Sequence, residues 1–116
     1  MKSNSRKTLE KKLDATWSKV VRSRANNRCE ICNSDNIVQA HHIIPRTHKG
    51  TRWDIDNGVS LCLAHHLYWA HKDVIAFYEW IALKRNLDRL KVKGYSVCKW
   101  QESELKLLLN ELESML

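Results

Sequence analysis

The sequence predicts an α+β domain, mainly helical, and three observations carry that expectation. Between Thr8 and Asn26 the apolar residues Leu9, Leu13, Trp17, Val20 and Val21 recur at the spacing of one helix face. Near the C-terminus Leu105, Leu108, Leu109, Leu112 and Leu116 form a second such stripe. Between them lie two short β-branched runs, Ile37–Ile44 and Val59–Leu61, with Pro45 closing the first.

Taken in order, residues 1–7 are polar and basic and read as a mobile tail, followed by the first helix, which Asn26-Asn27 can stop. Cys29-Glu30-Ile31-Cys32 forms a tight turn that continues through Asn33-Ser34-Asp35-Asn36, all turn-forming residues. The strand over 37–44 leads to a polar loop at 46–58, then to the second strand and a short helix over 63–72. Asp73 suits the N-cap of a helix from Val74 to about Asn86. A basic stretch runs up to Gly94, and the last helix spans about 101–115 with an acidic outer face.

A chain of 116 residues is one domain rather than two, and 43% hydrophobic with 28% charged residues is a globular composition. No apolar run approaches the ~20 residues of a membrane span, and the start lacks a signal-peptide stretch. The expected location is therefore the cytoplasm, with no membrane partner. The net charge of +7 is uneven: residues 1–28 hold nine bases against two acids, while the rest of the chain is balanced. In that arm Lys19, Arg22 and Arg24 are candidates for contact with a phosphate backbone, which gives affinity and salt dependence without reading sequence.

The cysteines could form two disulfides, but paired spacing beside histidines in a cytosolic chain reads as metal binding. Cys29-x2-Cys32 presents two thiolates from one turn, and Cys62-x2-His65 repeats the spacing, giving a closed Cys3His shell for structural Zn2+. Cys98 stands apart as an ordinary buried thiol. His65 and His66 are neighbours on a helix and diverge by about 100°. They cannot easily serve the same ion: one is expected to face the cysteine turn and the other the strand pair, which suggests a second metal site.

The ordered text Cys29-x2-Cys32, His41-His42-Ile43-Ile44-Pro45-Arg46, Asp56-Asn57-Gly58-Val59-Ser60-Leu61-Cys62, His65-His66 and His71 resembles the HNH endonucleases, the ββα-metal or His-Me finger fold. The resemblance covers about residues 28–82, and Arg52-Trp53-Asp54 also looks like small bacterial and phage members. One departure is the fourth zinc ligand, commonly Cys and here His65. The resemblance implies a two-stranded ribbon and a helix gripping one catalytic cation, in a bacterial or phage-infected cell. By position, His42 would be the general base, and Asn57 would brace the loop that orients it. His41 and His66 would hold the cation, usually Mg2+, which would stabilise charge on the leaving 3′-oxygen. Cleavage would leave 5′-phosphate and 3′-hydroxyl ends. Because Mg2+ prefers oxygen to imidazole, Mn2+, Co2+ or Ni2+ is expected to serve as well.

Neighbours on a strand point to opposite faces, so the paired roles of His41 and His42 require a strong twist or an ion at the strand's end. His71 reads equally as an extra ligand or phosphate contact and as a helix-end surface residue. Arg46 and Arg52 flank the expected ion and could hold phosphate oxygens, or remain solvated loop arginines. His48 reads as solvated, and Trp53 and Trp69 as packing residues. The expected division is a basic tail and helix (1–27), the catalytic core with its zinc knuckle (28–82) and a helical extension (83–116), in one compact domain. The expected function is a divalent-metal-dependent DNA endonuclease, nicking or cutting both strands, with a protein partner for targeting. The alternative is a non-catalytic zinc-knuckle DNA-binding module. A third, remoter reading is a zinc-stabilised adaptor that binds protein through its acidic C-terminal helix.

Overall fold

The computed structural model describes residues 2–116, with side chains from Ser5 onward. Helix α1 (Lys2–Arg24) is followed by strands β1 (Val38–His42) and β2 (Gly58–Cys62), joined by a loop ending in a 3₁₀ turn at Ile55–Asn57. A π-helical turn (His65–Ala70) leads to α2 (Val74–Ala82), α3 (Leu87–Tyr95) and α4 (Glu102–Ser114). The molecule is α+β and mainly helical, as the periodicities require. Among the described residues, no helix is long and apolar enough to cross a membrane.

The strands form one antiparallel ribbon in which Val38 faces Cys62 and His42 faces Gly58. Strand β2 is buried along its whole length, because α1 covers one side of the ribbon and the π turn and α2 cover the other. Two cores result. Ile43, Ile44, Val59, Leu61, Phe77, Ile81 and Leu90 fill the first. Leu13, Trp17, Val21, Trp53, Leu105 and Leu112 fill the second, between α1, the loop and α4. Gly58 permits this closeness: a Cβ there would lie 2.4 Å from Val21 and 2.8 Å from Trp17.

Four boundaries differ from the sequence expectation, each for a local reason. The stretch read as a tail is helical from Lys2; Ser5 Oγ donates to Glu102 Oε1 at 2.9 Å, tying the first turns to α4, while Met1 lies outside the described residues. Strand β1 is shorter, because Ile43 and Ile44 leave the ribbon to plug the first core, each 2% exposed. The helix beginning at Val74 stops at Ala82. Asn86 does not continue it but caps α3, its side chain accepting from Arg89 N at 3.1 Å. The basic stretch up to Gly94 is thus a helix, and Gly94 sits where a Cβ would press Ile44 and Thr51 at 3.0 Å.

Candidate functional site

The knuckle at 29–32 brings its two thiols against the end of β2 and the helix that follows. Asn33, in left-handed conformation with φ 64°, turns the chain back, and Glu30 N donates to Ser60 O at 2.9 Å. Cys29, Cys32, Cys62 and His65 place one donor atom each within 4.8 Å of one another. Cys32 and Cys62 sulfurs are 3.8 Å apart, and His65 Nδ1 lies 3.7 Å from Cys29 Sγ and 3.2 Å from Cys62 Sγ. Tetrahedral zinc with sulfur at about 2.3 Å separates its sulfurs by about 3.8 Å, so the four donors fit that ion. Burial raises the Cys29 thiol, but the backbone groups of Cys62, Cys32 and Ile31 outweigh it and hold it below its ordinary value, favouring the thiolate.

A second cluster lies on the other side of His65. Residues Gln39 and His41 share one face of β1, opposite the π turn. His41, His66 and His71 bring their ring nitrogens within 4.8 Å of one another. His66 and His71 are five residues apart, which on an α-helix would set them about 140° apart. In the π turn hydrogen bonds span five residues, and the two rings meet, with His66 Nε2 and His71 Nε2 3.0 Å apart. An ion about 2.1 Å from each would see them at about a right angle. The other His66 nitrogen, Nδ1, donates to Gln39 Oε1 at 2.5 Å, which leaves Nε2 as the unprotonated nitrogen, turned toward His71 and able to bind a cation in its place.

These rings line a cavity of about 490 Å³ together with His42, Arg46, Phe77 and Tyr78. Burial, then the neighbouring His66, His71 and His42, pushes the His41 pKa down to about 3. Burial and His71 lower that of His66. Both rings are neutral near pH 7, the form that binds metal. His42 reaches the same cavity because it ends β1, although its ring turns to the opposite face and lies on Trp17, with centroids 3.9 Å apart and planes at 10°. Its Nε2 donates to Arg52 O at 2.9 Å, leaving Nδ1 as the basic atom. Burial lowers its pKa against the opposing pull of the Arg52 carbonyl and Asp14, so this ring too is neutral near pH 7.

Asn57 is fully buried, with Oδ1 accepting from Ile44 N at 2.7 Å and Nδ2 donating to Ile44 O and Thr51 O at 3.0 and 3.1 Å. It pins the chain two residues past His42. Arg46, with 60% of its side chain exposed, lines the cavity and meets Asp14 Oδ2 at 3.1 Å. Arg52 is only 13% exposed and makes a bidentate pair with Asp14, at 3.0 and 2.7 Å. Lys19 is exposed on α1, Arg22 returns to Ser18 O, and Arg24 donates to Ile55 O at 2.9 Å. His48 stands away from the cluster against Tyr95, and Cys98 is half-buried and apart from both clusters. Trp53 is buried and Trp69 packs on Phe77 and Trp80, so both indoles serve packing.

Gln39, Trp17 and Asp14 escape a reading of the sequence alone. Gln39 has one signal, the two-residue spacing that puts it on the face of His41. Trp17 has none beyond its place in an apolar stripe.

Two strands and a following helix, with imidazoles converging between them and a thiolate knuckle alongside, define a ββα-metal core. Residues 29–67, about a third of the chain, match the HNH endonuclease family model. No curated protein and no solved structure matches the chain significantly.

Proposed function

We propose that the protein is a divalent-metal-dependent endonuclease that hydrolyses phosphodiester bonds in DNA. One observation carries the reading: three imidazole donors, from His41, His66 and His71, lie within 4.8 Å of one another beside His42, in addition to a complete Cys3His set. A zinc-knuckle binding module needs only Cys29, Cys32, Cys62 and His65, and a second converging set has no use there.

In this reading His41 and His66 hold the catalytic cation and His71 joins them. A bound divalent cation supplies Lewis-acid stabilisation of the charge on the leaving 3′-oxygen. His42 takes a proton from the attacking water at Nδ1, since Nε2 is committed to the Arg52 carbonyl. Arg46, exposed at the cavity edge, exchanges Asp14 for a phosphate oxygen. Asn57 holds the end of β1 so that His42 keeps its place. All-imidazole ligation favours Mn2+, Co2+ or Ni2+ over Mg2+. Residues 28–82 form the catalytic core, while α1 and the 83–116 extension brace it and extend its surface. So small a domain offers few base contacts, which points to backbone binding, with targeting by a partner protein in the cytoplasm.

The test is plasmid cleavage with a panel of divalent metals, comparing wild type and His42→Ala at equal zinc content. The expected outcome is conversion of supercoiled DNA, slowed about 10²- to 10⁴-fold in the variant. Equal rates would remove His42 from the role of base. No cleavage with any metal or DNA form would leave the binding-module reading.

A further inference from the structure

Helix α1 lies wholly outside the segment that matches the family, yet it touches the proposed base directly. The Trp17 indole is 2% exposed and stacks on the His42 ring at 3.9 Å, nearly parallel. The indole is itself fixed, because its Nε1 donates to Asp54 O at 2.8 Å. One turn earlier, Asp14 accepts from Arg52 Nε and Nη2 and from Trp53 Nε1, at 3.0, 2.7 and 2.8 Å. Arg52 is the residue whose carbonyl receives His42 Nε2–H. The same helix therefore sets both degrees of freedom of the imidazole. Trp17 fixes the plane of the ring, and Asp14 anchors the carbonyl that fixes its rotation within that plane and selects its tautomer.

We infer that Trp17 and Asp14 are positioning residues for His42, and that α1 is a wall of the catalytic centre. This rests on the reading of His42 as the general base. A ring free to tilt, or one that exchanges its N–H between nitrogens, presents Nδ1 to the water for only part of the time. Misplacement on that scale lowers the chemical step about 10- to 100-fold while leaving DNA affinity alone.

The experiment has two arms. The first records long-range ¹⁵N–¹H correlations of the histidine rings in the folded, zinc-loaded protein. His42 is expected as a single Nε2–H tautomer in wild type and as a mixture in Asp14→Asn and Trp17→Leu. A Nδ1–H or mixed His42 in wild type would overturn the inference whatever the variants do. The second arm measures single-turnover cleavage at saturating protein, and DNA affinity by anisotropy, for Trp17→Leu, Trp17→Phe and Asp14→Asn. Leu9→Ala, two turns from Trp17, serves as a matched loss of α1 packing.

Trp17→Leu is expected to cleave 10- to 100-fold more slowly with its Kd within twofold of wild type. Trp17→Phe recovers most of the rate through its ring, and Asp14→Asn loses about 3- to 10-fold. Trp17→Leu slowed no more than Leu9→Ala, or slowed only through weaker DNA binding, would sink the inference. Should Trp17→Leu fail to fold, Asp14→Asn and the wild-type tautomer decide the question. Absence of cleavage by wild type would count against the proposed activity, whereas the tautomer arm would still read the positioning.

Discussion

At the scale of single residues, Asn57 shows how much of the site hangs on a group that touches no substrate. Its three hydrogen bonds go to Ile44 N, Ile44 O and Thr51 O, all in buried backbone that water does not reach. Asn57→Ala leaves the Ile44 N–H orphaned in the core and removes the tie between the end of β1 and the loop. The expected loss is about 3 kcal/mol, read as a lower urea midpoint with an unchanged slope. Cleavage should fall further than stability alone explains, because the pinned segment begins two residues after His42. A midpoint within experimental error of wild type would show that the loop is braced elsewhere. The Cys3His cluster and the paired histidines were legible in the sequence as groups that could hold metal, since ligand spacing is a property of residue type and separation. The difference between Arg46 and Arg52 was not. Both read as loop arginines, and only the carboxylate of Asp14, distant in sequence, ties one down and leaves the other exposed.

At the scale of elements, periodicity found α1, both strands, α2 and α4, and it failed where its own assumption failed. Reading the segment after Cys62 at about 100° per residue separates His66 from His71, so the third imidazole could not be assigned from sequence. The π turn carries one residue more than an α turn, and Tyr68, 65% exposed, is the residue it can spare. Deleting Tyr68 should restore an ordinary helix with the two histidines four apart, again on one face. Mn2+ binding measured by calorimetry should then stay within a few-fold of wild type. Loss of binding would mean that the π geometry itself shapes the site.

Helix α3 was hidden by its charges, since Arg89, Lys91 and Lys93 masked the Leu87–Leu90 step and the Asn86 cap. Those charges dock it: Arg89 and Lys93 meet Asp54 Oδ2 at 3.3 and 2.7 Å. Burial raises the Asp54 carboxyl, but Lys93, the Asp56 N–H and Arg89 hold it below its ordinary 3.8. A depressed folded pKa contributes stability that is full above the unfolded value and lost as pH falls through the folded one. Thermal stability should therefore decline as pH drops below about 3.8, and Asp54→Asn should flatten that decline while lowering stability at pH 7. Equal pH slopes in both proteins would free α3 of this anchor.

At the scale of the whole molecule, the uneven charge acquires a direction. The two acids of α1 both turn inward: Glu10 meets Lys49 at 3.2 Å, and Asp14 meets Arg46 and Arg52 at 3.1 and 2.7 Å. Helix α1 thereby spends its negative charge on the loop beside the cavity and leaves Lys7, Lys11, Lys19 and Arg22 on its outer faces. Arg24 is the exception, since its guanidinium reaches Ile55 O and Asp56 and fastens the helix end to the loop. A positive surface of this kind binds DNA by releasing counterions, so the logarithm of affinity falls linearly with the logarithm of salt concentration. Replacing Lys11, Lys19 and Arg22 together by Gln should reduce the magnitude of that slope by about 2 to 3, with little effect on the melting temperature. Arg24→Gln should do the reverse, lowering the melting temperature and changing the slope by less than 1. Anisotropy titrations of a duplex across a salt series, paired with thermal melts, measure both. If the triple variant keeps the wild-type slope, DNA lies elsewhere, and the charge of α1 serves only to hold the loop against the ribbon.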